Sequence, residues 1–493
     1  MSLWRKKSIT KLLADADNSE RGLKKTLTAW SLVALGIGAI IGAGLFTQTA
    51  RAASECAGNG ITLSFVFAAV GCLFAGLCYA EFASMIPIAG SAYTYAYTTM
   101  GELVAWIIGW ALVLEYALGA ATVSIAWSEY LNRLLGGVIP YSLCHSPFEL
   151  SAAGEHGLIN LPALLILLIL SLLLIKGTKE SATVNAVIVC VKVAIVLAFV
   201  AVGWQFVKPE NHVPFLIPEN APTVGGHDFS LPFNHGWLGV LKGAGIVFFA
   251  FIGFDAVSTA AQETKNPKRD MPIGILGSLA VCTILYVIFS YVLTGVAPYT
   301  DFLDPAKGKE ASITYVVEHY MTGYHWLGTA VTVAILAGFS SVILVMLMGQ
   351  SRVFYSMAND GLLPKIFSDL HPKFRTPYKS NIILFVFVGL FAAFIPESVA
   401  GDLTSIGTLF AFVLVCLGII IMRRSDPDRH RPFRVPFVPV IPILGILVCV
   451  AMIIGLDRNT ILTAFAWMII GLIIFFVYSR HHSNIGKENL PKS

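Results

Sequence analysis

The stretch Gly36-Ile37-Gly38-Ala39-Ile40-Ile41-Gly42-Ala43-Gly44 lies inside an apolar run spanning 29–50. Four glycines in nine residues weaken a helix near its middle, because glycine costs about 1 kcal/mol relative to alanine there. A phosphate-binding GxG loop would need a preceding strand and an acidic ribose partner, and the flanking sequence has neither. Close helix packing through small residues is the plainer alternative. A second stretch decides between them. Gly243-Ala244-Gly245-Ile246-Val247-Phe248-Phe249-Ala250-Phe251-Ile252-Gly253-Phe254-Asp255 interrupts another apolar run, at 237–263.

Counting outward from these two runs, and allowing about 20 apolar residues per bilayer crossing, gives twelve spans. They are 29–50, 61–86, 102–125, 158–175, 184–207, 237–263, 273–297, 326–355, 380–395, 403–422, 438–456 and 460–479. Runs of this length satisfy their backbone in lipid as helices. The interrupted runs are the first and sixth, an odd number of crossings apart, so they run in opposite directions. Paired broken segments in corresponding positions point to a central transport site between two inverted repeats. The expected organisation is a cytoplasmic segment at 1–28, five-helix repeats at 29–207 and 237–422, two further helices within 438–479, and a cytoplasmic tail at 480–493.

Composition agrees. Of 493 residues, 56% are apolar and 13% charged, against about 25% charged in a soluble domain. A soluble, disordered, collagen-like or disulfide-scaffold protein is excluded, and a net charge of +4 gives no sign of nucleic-acid binding. Lys and Arg number 33; 25 fall on one face of the twelve-span topology, six on the other and two (Lys192, Lys242) inside or at the edge of spans. The basic face reads as cytoplasmic, with both termini on it. The first 28 residues have no apolar signal core, so no cleavable signal peptide is expected. Eight cysteines form no CxxC motif; Cys56 and Cys144 share the outer face, as a disulfide or as two unpaired residues. Scattered histidines suggest no metal site, and no cofactor is expected.

The breaks carry chemistry. A broken helix exposes carbonyls from its first half and N–H groups from its second. Amides at Ala43 and Gly44 suit a carboxylate at a positive half-helix end. Carbonyls near Ile40, Phe249, Ala250 and Ile252 suit an ammonium. A free amino acid is the smallest common solute satisfying both. Ionisable residues inside spans are costly and point to function. Lys192 lies about 12 Å into the fifth span at 1.5 Å per residue, either snorkelling or holding a buried partner, for which Glu115 is the candidate. Desolvation disfavours the charged ammonium, and a lysine that gains and loses its proton meets the need of proton coupling. Asp255 is either the cap of the restarting helix or a functional carboxylate. Glu81 reads as a satisfied interfacial carboxylate. Ser340 and Ser341 are either packing residues or hydroxyl ligands for an ion.

Five motifs, GIGAIIGAG at 36–44, AEFASMIPIAGSAYTYAY at 80–97, FFAFIGFDAVSTAAQE at 248–263, NPKRDMPIG at 266–274 and SRVFYSMANDGLLPK at 351–365, resemble the amino acid–polyamine–organocation superfamily, in its cationic amino acid transporter branch. The resemblance runs from about Lys24 through the last span. It implies the leucine-transporter fold: an all-α membrane protein with ten helices in two inverted repeats, plus two more. It implies that helices 1 and 6 bind the amino acid backbone, and that Lys192 stands where relatives hold sodium between helices 1 and 8, with Ser340 and Ser341 on the helix 8 side. By the same resemblance Phe249 is an aromatic gate, Glu115 a carboxylate linked to the lysine, and Met346 a pocket residue bearing on side-chain size. Two departures stand out: Ala43 replaces a frequent threonine, and Met346 is bulkier than its counterpart in mammalian cationic carriers.

The expectation is therefore a plasma-membrane permease that takes up L-amino acids by alternating access, with proton symport. Its substrates are cationic, such as arginine or lysine, or small and neutral, such as alanine. An obligate amino acid exchanger is the rival within the class. A membrane-embedded enzyme or a non-transporting sensor is the distant rival, for which no HExxH, GxSxG, Walker A or HxxxD-like motif and no appended soluble domain is found.

Overall fold

The computed structural model describes residues 4–8, 27–86, 91–151, 154–176, 182–304, 312–374 and 376–485. The N-terminal segment and the tail fall largely outside the described residues. Among those described, regular structure is helical, with only isolated β-bridges. Eight helical stretches are long and apolar enough to cross a bilayer, and four shorter apolar helices accompany them.

The first apolar run starts as α1 (Ala29–Ile40), its amino end capped by the Thr28 hydroxyl accepting from the Ser31 amide. It ends where Ile41 turns extended (φ −72°, ψ 105°). The chain then resumes as a helical run over 44–60, opening with a π turn at Gly44–Gln48 and continuing beyond the predicted end at 50. After α2 (Ile61–Met85) and α3 (Ser91–Thr99) comes α4 (Glu102–Leu134), which extends past the predicted 125. A π turn at Leu114–Leu118 interrupts α4 at Glu115; such turns favour functional sites. Next come α5 (Leu161–Lys176) and α6 (Ala182–Gly203).

The sixth run begins as α7 (Gly236–Val247) and tightens to a 3₁₀ turn at Phe248–Phe251. It breaks at Ile252, which is extended, and Gly253, at φ +111°, before restarting as a 3₁₀ helix over Asp255–Glu263. The remaining helices are α8 (Pro267–Val296), α9 (Ser312–Tyr320), α10 (His325–Asn359), α11 (Tyr378–Phe394), α12 (Glu397–Ser425), α13 (Val440–Gly455) and α14 (Arg458–His482).

Small residues bring the helices close. α8 lies along α1 and α2. A methyl group at Gly36 would meet the Ser278 hydroxyl at 2.4 Å, and one at Gly274 the Leu32 Cβ at 2.6 Å. Elsewhere α10 lies along α4, and α12 along α13. Exposed apolar side chains such as Leu165, Leu172, Ile284, Leu447 and Phe465 clothe the outer helices, as a protein solvated by lipid requires.

Glu81, fully buried on α2, ties the loop after α12 to the bundle. Arg423 donates to its two oxygens at 2.9 and 2.7 Å, the Val435 amide donates at 2.7 Å, and Arg431 lies 3.2 Å away. The expectation of a satisfied carboxylate matches this geometry, although the site is buried. No disulfide joins Cys56 and Cys144 among the described residues.

Candidate functional site

The two breaks meet. A methyl group at Gly44 would lie 2.2 Å from the Ala250 Cα, so only a glycine permits this approach. Gly253 packs on the first break less tightly, with Ala39 backbone atoms 3.0 Å from its absent side chain. Its positive φ also selects glycine.

The end of α1 leaves carbonyls that the next turn cannot reach. Ile37 accepts from the Ile41 amide at 2.9 Å. The Gly38 carbonyl accepts from Lys192 Nζ at 2.7 Å. The Ile40 carbonyl lies 3.0 Å from Tyr286 Oη, and the Ala250 carbonyl of the other break lies 2.9 Å from the same oxygen. A phenol has one proton to donate, so this hydroxyl serves one of the two carbonyls at a time. Across the break, the amides of Ala43 and Gly44 have no helical turn behind them, because the chain is extended at Ile41. Carbonyls on one side and first-turn amides on the other thus frame the crossing.

Lys192 is 2% exposed. Its Cε would lie 2.9 Å from a methyl at Gly338, so the chain runs between α1 and α10. The expected link to Glu115 is not formed: no ion pair joins them among the described residues, and the lysine is spent on the Gly38 carbonyl. Glu115 instead lies near Asp255 and Thr408, and neither of its buried oxygens has a hydrogen-bond partner among the described residues. Asp255 Oδ2 accepts from Tyr116 Oη at 2.7 Å, and its carboxylate also faces the Ala256 amide. Asp255 is thus the first residue of the restarted helix and part of a buried polar group with Tyr116.

Ser340 donates to the Leu336 carbonyl at 2.9 Å, which occupies its proton, whereas the buried Ser341 hydroxyl makes no hydrogen bond among the described residues. Met346 packs on α4: its sulfur would lie 2.9 Å from a methyl at Gly119, next to Thr404. Phe249 and Ile252 are buried at the second break. No group of residues suited to holding a metal occurs among those described.

Two aromatic clusters flank the crossing. Phe46, two residues beyond Gly44, meets Phe289 at 6.0 Å and Phe339 at 6.2 Å, while Tyr130 donates to its carbonyl at 3.2 Å. On the other flank Phe412 meets Phe254 at 5.0 Å and Tyr79 at 5.5 Å. Beyond Phe46 a cavity of about 450 Å³, lined by Thr47, Gln48, Arg51, Glu55, Glu149 and Glu397 among others, reaches toward the break. Arg51 closes its wall with a fork on Asp402, at 2.8 and 3.0 Å.

Tyr286, Tyr116 and Phe46 were not among the residues expected from the sequence. A usable signal existed for the tyrosines, since a phenol inside an apolar span needs a partner for its hydroxyl.

Comparison with known proteins agrees with this architecture. The family described as amino acid permease matches residues 27–477. The chain is 44% identical over 489 residues to the branched-chain amino acid permease BcaP of Bacillus subtilis (strain 168), covering 99% of both. It is 39% identical to the methylthioribose transporter of the same organism, covering 99% of this chain and 100% of that one. It is 34% identical to the vacuolar cationic amino acid transporter 4 of Arabidopsis thaliana, covering 87% of this chain and 68% of that one. The protein is a multi-pass membrane transporter rather than an enzyme, and it belongs to the amino acid permease family of the amino acid–polyamine–organocation superfamily.

Proposed function

We propose that this permease takes up neutral aliphatic L-amino acids across the plasma membrane, driven by protons, by alternating access of twelve helices arranged as two inverted five-helix repeats plus two. In this reading both termini are cytoplasmic. The observation that carries the substrate class is the crossing itself: first-turn amides at Ala43 and Gly44 suit a carboxylate, and the carbonyls of Ile40 and Ala250, which share one phenol, suit an ammonium. Phe249, Ile252 and Met346 offer apolar surface to the side chain. The 44% identity to a branched-chain permease supports the neutral aliphatic assignment.

In the mechanism, the substrate's ammonium takes a carbonyl from Tyr286, and Phe249 covers the bound molecule. Phe46 and Phe412 stand on its two sides as barriers. Lys192 in its charged form holds the Gly38 carbonyl and fixes the end of α1; loss of its proton leaves a neutral amine whose weaker hydrogen bond loosens that half-helix. A proton then biases which side opens, as differential stabilisation of two states requires.

The test is uptake of radiolabelled leucine into proteoliposomes with and without an inward proton gradient, in competition with valine, alanine, arginine and methylthioribose. Gradient-stimulated leucine uptake, blocked by valine and not by arginine, is expected. Competition by methylthioribose alone would move the assignment to the uncharged thioether sugar named for the 39% identical relative. Uptake that requires internal amino acid would make the protein an exchanger.

A further inference from the structure

A second cavity, of about 760 Å³, lies at the opposite end of the bundle from the cavity lined by Arg51, where the Lys and Arg excess collects. Its rim carries Lys268 and Arg269 from the first turn of α8. Its wall is Ile273 and Leu276, one and two turns further on, with Pro432 and Phe433 from the loop after α12. Both cations are exposed, and neither forms a hydrogen bond or ion pair among the described residues.

The apolar wall opens sideways. Ile273 is 40% exposed, and further along α8 so are Ile284 (61%) and Ile288 (39%). These positions recur at helical spacing, so Ile273 begins the stripe that α8 turns toward lipid. Two unneutralised cations at the head of a groove that continues along a lipid-facing stripe are complementary to one kind of molecule. We propose that this groove binds an anionic phospholipid, the phosphate between Lys268 and Arg269 and an acyl chain along Ile273 and Leu276. A zwitterionic lipid would bring its own cation to the rim, and a free anion would leave the apolar wall in contact with water.

The site sits on the part of α8 that is coupled to α1. The Lys265 amide donates to the Leu27 carbonyl at 2.9 Å, and a methyl at Gly277 would meet Val33 at 3.0 Å. A lipid that steadies the start of α8 therefore steadies the half-helix ending at Gly38 and Ile40.

The experiment is native mass spectrometry of the delipidated full chain, titrated with phosphatidylglycerol or phosphatidylcholine of identical acyl chains. This binding readout does not depend on the transport assignment. Wild type is expected to retain phosphatidylglycerol at least fivefold better than phosphatidylcholine. The K268Q/R269Q variant should lose that preference, while the exchanged pair K268R/R269K keeps it. K373Q, which removes an exposed cation elsewhere on the same face, also keeps it. Equal retention by wild type and K268Q/R269Q would overturn the proposal. So would displacement of phosphatidylglycerol by millimolar inorganic phosphate, which would reveal an anion site without a lipid. If the double variant does not fold, the single variants K268Q and R269Q provide the same comparison.

Discussion

Gly44 and Ala250 lie back to back, so close that a methyl group on the glycine would fall 2.2 Å from the alanine Cα. This contact brings the second half of one broken helix against the first half of the other. It places the free carbonyls and amides of both breaks around a single point. Gly44→Ala forces the breaks apart, and overpacking of this kind costs about 1–3 kcal/mol. Uptake should fall at least tenfold, whereas thermal unfolding shifts by only a few degrees. Gly76→Ala is the control, since a methyl there makes ordinary contacts of 3.6 Å and should leave uptake unchanged.

Tyr286 reaches both carbonyls with one hydroxyl. Tyr286→Phe removes a hydrogen bond worth about 0.5–1.5 kcal/mol but keeps the ring that stacks near Phe65 and Phe251. The proposed mechanism has the substrate compete with this hydroxyl. The variant should therefore change the KM of leucine uptake several-fold while its unfolding temperature moves little. An unchanged KM would show that the Ile40 and Ala250 carbonyls do not receive the ammonium.

Glu81 makes a different kind of contribution. Its buried carboxylate neutralises Arg423 and Arg431 and accepts from the Val435 amide. Removing one member of a buried charged cluster costs about 3–5 kcal/mol. Glu81→Ala should lower the unfolding temperature markedly and reduce the yield of folded protein. Glu81→Gln, which retains an acceptor for Val435, should lower it less. A substrate-dependent change with unaltered stability would contradict this structural role.

The sequence made the breaks legible because their cause is local. The glycines of 36–44 weaken the helix, which ends at Ile40, and Gly253 takes a left-handed φ that other residues avoid. Lys192 was legible as well, since a cation deep in an apolar span requires an explanation. Its partner was not. The sequence offered Glu115, mid-way through the third span, as the candidate, whereas the fold supplies a backbone carbonyl freed by the break itself. Orphan carbonyls leave no trace in residue identity. For the same reason Tyr286 escaped notice: it meets Ile40 and Ala250 only through the packing of α8 against both breaks. The cavity beyond Phe46 and its Arg51–Asp402 fork join residues some 350 positions apart, which spacing along the chain cannot reveal.

Proton coupling through Lys192 is tested by leucine uptake by Lys192→Met in proteoliposomes, with and without an inward proton gradient. Methionine fills much of the same space and has no proton to gain or lose. The prediction is that the gradient no longer stimulates uptake, while exchange of external for internal leucine continues. Gradient-driven uptake by the variant at the wild-type rate would contradict the account and place the coupling proton elsewhere in the protein.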